Sequence, residues 1–289
     1  MLFVSHKVVR RNYILLLIFM STLEYWSMVK MVIRKVNTGI TGLDTMLQGG
    51  FPEGRMILIT GGPGTGKTIF CSQFLHYGAT KDGVKTVFIS LDETKNHFVE
   101  EMLTFGWNFK ELEQEGKFTF IDASDVRRIP AQAFQPRQVG GLQVSGKELA
   151  RARLIDNIFK TFEGGRSIDR FIGDIGAQRV VLDSVSGLTF RFPEAWEKRQ
   201  AILDIMEALN AIGVTCLITS EAISIGEIRE VQPEEYLSQG VIDVQTLRTG
   251  ERAVRILKMR GTEVDSVPRP YKIGETGIEV YADQNIYQT

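Results

Sequence analysis

Residues 61–68 read Gly61-Gly62-Pro63-Gly64-Thr65-Gly66-Lys67-Thr68, the spacing G-x-x-x-x-G-K-[ST]. An apolar run, Ile57-Leu58-Ile59, precedes them and an amphipathic stretch follows. The spacing has a mechanical reason. A strand must end, the chain must curl so that successive N–H groups point inward at phosphate oxygens, and a helix must begin at once. The curl needs backbone angles that glycine adopts at least cost, which assigns Gly62, Gly64 and Gly66. Phosphate then rests on the positive end of the helix starting near Lys67. Lys67 adds a charge for the β and γ groups, and Thr68 offers a hydroxyl to Mg²⁺. A glycine-rich turn can occur without function, but the flanking strand and helix supply the context that a triphosphate site requires.

Such a site needs a carboxylate at the tip of a second buried strand. Arg179-Val180-Val181-Leu182-Asp183-Ser184 supplies one, so Asp183 joins Thr68 as a metal-ligand candidate. Hydrolysis also needs a group to orient and deprotonate water. The apolar run ending at Leu91 is followed by Asp92-Glu93, at the carboxyl edge where an open sheet binds its ligand. Glu93 is the candidate base, with Asp92 as its partner, raising the Glu93 pKa by like-charge proximity. The competing reading is that Asp92-Glu93-Thr94 caps the following helix.

The elements that must position these groups follow from periodicity. Short unalternating apolar runs predict strands buried on both faces at Met56–Thr60, Thr86–Leu91, Phe118–Asp122, Val180–Asp183 and Thr215–Ser220. Helical patterns lie between them at Thr68–Ala79, Asn96–Phe105, Glu148–Phe162 and Gln200–Ala211, several stopped by glycine. The C-terminal part changes character, with short antiparallel strands expected at Arg252–Met259, Tyr271–Ile273 and Gly277–Tyr281. The stretch Ala123–Ser145, with two prolines and Gly140-Gly141, reads as a long loop or insertion. The fold class expected is α/β: a mostly parallel central sheet flanked by helices, with a C-terminal antiparallel extension.

A chain of 289 residues, 43% hydrophobic and 24% charged, can bury a core without metals or disulfides and is not a disordered, collagenous or coiled-coil chain. Cys71 and Cys216 stand far apart with no C-x-x-C, so a reducing cytoplasm fits and a zinc site does not. Both read as core hydrophobes, as do Phe70 and Phe74; His76 and His97 lack metal-like spacing. The net charge is −1, so the chain has no overall basic field for nucleic acid. Residues 1–30 stand outside the expected domain, 31–289. They hold a net +3, leaving −4 for the remainder. The greasy run Ile14–Met20 is too short for a stable membrane span of about 20 residues. A true start at Met28 or Met31 is the preferred reading of this segment, ahead of a weakly membrane-associating helix and of a secretion signal.

Five segments in order resemble the KaiC-domain branch of the RecA-like P-loop ATPases. They are Thr38–Asp44 with Gly49-Gly50-Phe51-Pro52, the phosphate loop, Asp92-Glu93, Leu182-Asp183-Ser184, and Lys258-Met259-Arg260-Gly261-Thr262. The resemblance implies ATP and Mg²⁺ as ligands and a catalytic glutamate at Glu93. It also implies that Lys258 and Arg260 reach the γ-phosphate of a neighbouring subunit, so the chain would self-assemble into a ring, commonly a hexamer. The cations are then an arginine-finger device; alone, they read as solvent-facing residues of an alternating strand. Two departures stand out: Thr262 is followed by Glu263-Val264 where many relatives carry histidine, and Ser238-Gln239 replaces the Ser-Thr pair at which the clock member autophosphorylates. An oligomeric Mg²⁺-dependent ATPase is therefore expected first. A nucleotide-gated DNA-binding mediator comes second, with Arg127-Arg128, Arg151 and Arg153 as its possible patch, and a Ser/Thr autokinase third.

Overall fold

The computed structural model describes residues 33–123, 137–139, 142–144, 168–189, 195–225 and 228–286. The compact unit considered below is Lys35–Thr289. The expected helix at Glu148–Phe162, the four arginines of the possible DNA patch and the N-terminal segment 1–30 lie outside the described residues.

In chain order the strands are β1 (Lys35–Val36), β2 (Phe51–Pro52), β3 (Met56–Gly61), β4 (Lys85–Ser90), β5 (Phe118–Asp122), β6 (Arg137–Val139), β7 (Leu142–Val144), β8 (Ala177–Asp183), β9 (Thr215–Glu221), β10 (Ile223–Ile225), β11 (Ile228–Glu230), β12 (Gly240–Thr246), β13 (Arg252–Met259), β14 (Arg269–Gly274) and β15 (Gly277–Val280). The helices are α1 (Leu43–Met46), α2 (Lys67–Thr80), α3 (Lys95–Leu103), α4 (Phe109–Gln114), α5 (Ile168–Ile175), α6 (Ser186–Thr189), α7 (Ala195–Ile212) and α8 (Pro233–Leu237).

Nine strands form one sheet in the order β15-β14-β13-β12-β3-β9-β8-β4-β5. From β12 to β5 every pairing is parallel, and from β12 through β15 every pairing is antiparallel. This is the α/β architecture expected from the sequence, and its cause is visible in the core. Ile57 and Ile59 pack with Phe70 and Phe74 of α2 on one face, while Met56 and Leu58 pack with Ile202, Ile205 and Leu209 of α7 on the other. Side chains alternate along a strand, so a strand covered on both faces must be apolar at every position. Burying each such side chain contributes roughly 1.5–3 kcal/mol.

Two readings change. The expected loop at Ala123–Ser145 contains an antiparallel hairpin, β6 with β7, whose strands are separated in sequence by Gly140-Gly141. That is a two-residue hairpin composition as well as a loop signal. Strand β12 was not expected at all. Its apolar run is broken by Asp243, which is nevertheless buried, and β12 joins the parallel sheet to the antiparallel extension.

Candidate functional site

The phosphate loop lies between β3 and α2. Gly64 has φ 72° and Gly66, the residue before α2, has φ 86°, the left-handed region that favours glycine. Gly62 has no positive φ, and a Cβ there would meet nothing within 4 Å among the described residues. The loop's third constrained glycine is instead Gly61, where a Cβ would lie 2.2 Å from the Val244 carbonyl of β12. The requirement there is close strand approach, not loop curvature. The Thr65 hydroxyl donates to the Gly62 carbonyl at 2.8 Å, and Tyr271 donates to the Thr65 carbonyl at 2.5 Å. The loop is thus tied to the antiparallel extension.

Lys67 Nζ donates to the carbonyls of Gly61 and Gly62 at 2.9 and 3.0 Å, so its charge is held over the loop. Burial lowers its pKa, opposed by the nearby carboxylates of Asp183 and Glu221. Thr68 Oγ1 donates to Asp183 Oδ2 at 2.7 Å, which joins the head of α2 to the tip of β8. The other Asp183 oxygen accepts from Thr219 at the tip of β9. Burial raises the Asp183 pKa; the two hydroxyls lower it and Asp92 raises it further. Sequence reasoning missed Thr219, whose only signal was a polar residue inside a buried apolar strand.

Asp92 and Glu93 follow the end of β4, two strands beyond β9. Glu93 has its pKa raised to about 6, chiefly by burial, then by Glu101 and Asp183, with His97 acting the other way. Asp92 raises the pKa of Asp183, and its carboxylate lies against Gly187, within 2.8 Å of where a Cβ would sit. Neither acid is the cap of α3. Thr94 occupies that position without a side-chain bond, and the Glu93 N–H donates to Ser90 Oγ at 2.8 Å.

A cleft of about 520 Å³ opens over Gly64, Gly66, Lys67 and Thr68, with Ile69, Glu101, Arg252 and Ile273 as its other walls. Among the described residues no group of three acidic, His or Cys side chains forms a metal cage. Two adjacent oxygen donors, Thr68 and Asp183, fit a small hard cation that keeps most of its shell from water and substrate phosphate.

The sheet does not bring Lys258 and Arg260 to this cleft. Lys258 lies opposite Val241 and hence level with Leu58, while Gly61 is level with Val244. The Arg260 N–H donates to Gln239 O, beside Met56. Arg260 is therefore about 16 Å along the strand direction from the loop, at roughly 3.3 Å per residue. Lys258 Nζ donates to the carbonyls of Glu235 at 3.0 Å and Ser238 at 2.7 Å, closing the end of α8, and Arg260 is exposed. The solvent-facing reading thus fits Arg260 but not Lys258. Ser238 is fully buried, its hydroxyl turned to Glu235 O at 3.2 Å, so it is not presented as a phosphate acceptor.

A family model described as "ATPase: KaiC" matches residues 36–285. The chain belongs to the KaiC family of ATPases. It is 35% identical over 256 residues to UPF0273 protein MJ1359 of Methanocaldococcus jannaschii, covering 87% of this chain and 98% of that protein. A UPF0273 protein of Thermotoga maritima is 34% identical over 88% of this chain and 98% of its own length. The circadian clock oscillator protein KaiC of Parasynechococcus marenigrum is 30% identical, and the chain spans only 46% of it. Among solved structures, the KaiC-like protein PH0186 of Pyrococcus horikoshii superposes with a TM-score of 0.66 at 31% identity, over 86% of this chain and 99% of that one. Family membership carries the RecA-like fold and nucleotide binding with it. Among the described residues no helix is long and apolar enough to cross a membrane.

Proposed function

We propose that the chain is a Mg²⁺-dependent ATPase that works as a ring with each site completed by the next protomer. The observation carrying the hydrolytic reading is the meeting of Thr68 with Asp183 at 2.7 Å, beside Lys67 and within the field of Glu93. The loop N–H groups and Lys67 hold the phosphates of ATP. Thr68 and Asp183 hold the cation, which when bound neutralises charge on the phosphate oxygens. Glu93, with its proton affinity raised toward neutrality, accepts a proton from the attacking water. Water oxygen bonds to the γ-phosphorus, the bond to the β-bridging oxygen breaks, and ADP leaves with that electron pair.

Support for the ring is geometric. Lys258 and Arg260 lie too far from their own loop to assist it, while Arg260 is exposed and free to approach a neighbour's phosphate. Tyr236 and Val231, at 65% and 51% exposure, lie on and just before the helix that Lys258 closes, an apolar surface suited to contact with a second copy. The test is phosphate release from ATP by the purified chain, with sedimentation in the same buffer. Turnover that requires Mg²⁺, in a particle several chains in size, is the expected result. Release that is indifferent to Mg²⁺, or full turnover by a monomer, contradicts the proposal.

A further inference from the structure

Helix α8 has only five residues, yet it is tied down on three sides. At its start the Gln232 N–H donates to Glu235 Oε1 at 2.8 Å, and Arg229 of β11 donates to Glu235 Oε2 at 2.9 Å. At its end the carbonyls accept from Lys258. In between, the Ser220 hydroxyl of β9 donates to Glu234 Oε1. Glu234 is 2% exposed and its second oxygen, Oε2, has no hydrogen-bond partner among the described residues. A carboxylate left half-satisfied in the interior is costly, so this side chain is not explained by packing alone.

The tie to Ser220 connects two functional places. Ser220 follows Thr219, which donates to Asp183, and Asp183 accepts from Thr68. Successive side chains of a strand face opposite ways. The tip of β9 therefore sends one hydroxyl to the nucleotide site and the next to α8, whose far end holds Lys258.

We propose that Glu234 is a positioning residue that fixes α8, and with it Lys258, to the strand tip bordering the protomer's own nucleotide site. The cation offered to the next protomer then follows the state of the site behind it. This inference rests on Lys258 acting across the subunit boundary. The physical connection it uses runs from Asp183 through the Thr219–Ser220 dipeptide to α8.

The experiment measures kcat, KM and particle size for Ser220→Ala, Glu234→Ala, Glu234→Gln, Lys258→Ala and the double variant Ser220→Ala/Lys258→Ala. Ser220→Ala and Glu234→Ala are expected to lower kcat about 3- to 30-fold with KM within about twofold and with rings of normal size. Glu234→Gln keeps the acceptor oxygen and is expected to recover most of the rate. The double variant should be no slower than Lys258→Ala alone, because both changes remove one function. Normal kcat in Ser220→Ala, or losses that multiply in the double variant, overturns the inference while leaving the trans reading intact. Normal kcat in Lys258→Ala rings overturns the trans reading itself, and the inference falls with it. Should Glu234→Ala fail to fold, the single-atom change at Ser220 decides alone.

Discussion

Thr68 and Asp183, 115 residues apart in sequence, are joined by a 2.7 Å hydrogen bond. One comes from the first turn of the helix after the phosphate loop, the other from the tip of a strand two places away in the sheet. Their meeting makes a pair of oxygen donors where neither segment alone has one.

The Asp183 carboxylate is half-buried, and its loss of water raises its pKa. A carboxyl held above its unfolded pKa stabilises the fold fully below the unfolded value, and that stability is lost as pH rises through the folded one. Without metal, ionising Asp183 therefore costs stability. Asp183→Asn is expected to melt at or above the wild-type temperature without Mg²⁺ and to lose Mg²⁺-dependent turnover. Calorimetry and phosphate release check the two halves together.

Lys67 is the one cation held over the loop carbonyls among the described residues. Removing a charge-assisted phosphate contact costs about 1.5–3 kcal/mol, so Lys67→Ala should weaken ATP binding by about tenfold or more. Titration calorimetry with a non-hydrolysable analogue reads this directly.

Glu93 must be ionised to accept a proton, and its pKa is raised to about 6. The rate is expected to climb between about pH 5 and pH 7, with an acid limb near 6. In the same window the fold itself loses a little stability as Glu93 ionises, so the gain in rate runs against the change in melting temperature. A pH–rate profile beside a pH–melting profile separates the two.

Glycines of the loop should divide by cause. Gly61→Ala places a Cβ 2.2 Å from a backbone carbonyl and is expected to destabilise by about 1–3 kcal/mol. Gly62→Ala meets no atom of the described residues and needs no left-handed angle, so its folding stability should stay within about 0.5 kcal/mol of wild type. Denaturant unfolding of the two variants checks the contrast.

That contrast also marks how far the sequence could be read. Local chemistry was legible: the loop, both acidic strand tips and five buried strands follow from residue type and period. What depended on neighbours was not. Gly61 is constrained by β12, a strand whose buried Asp243 hid it. Asp92 raises the pKa of Asp183, which stands on a different strand. Glu101 shapes Glu93 from the next helix, and Thr219 reaches Asp183 from the next strand. Such pairings are made by topology, which a linear pattern does not carry.

The most direct measurement is ATP binding and phosphate release in one sample of Glu93→Gln beside wild type. The expected result is equal binding by both proteins, with Mg²⁺-dependent release by wild type alone. Undiminished release by Glu93→Gln, or binding by wild type without any release, would contradict the hydrolytic centre described here.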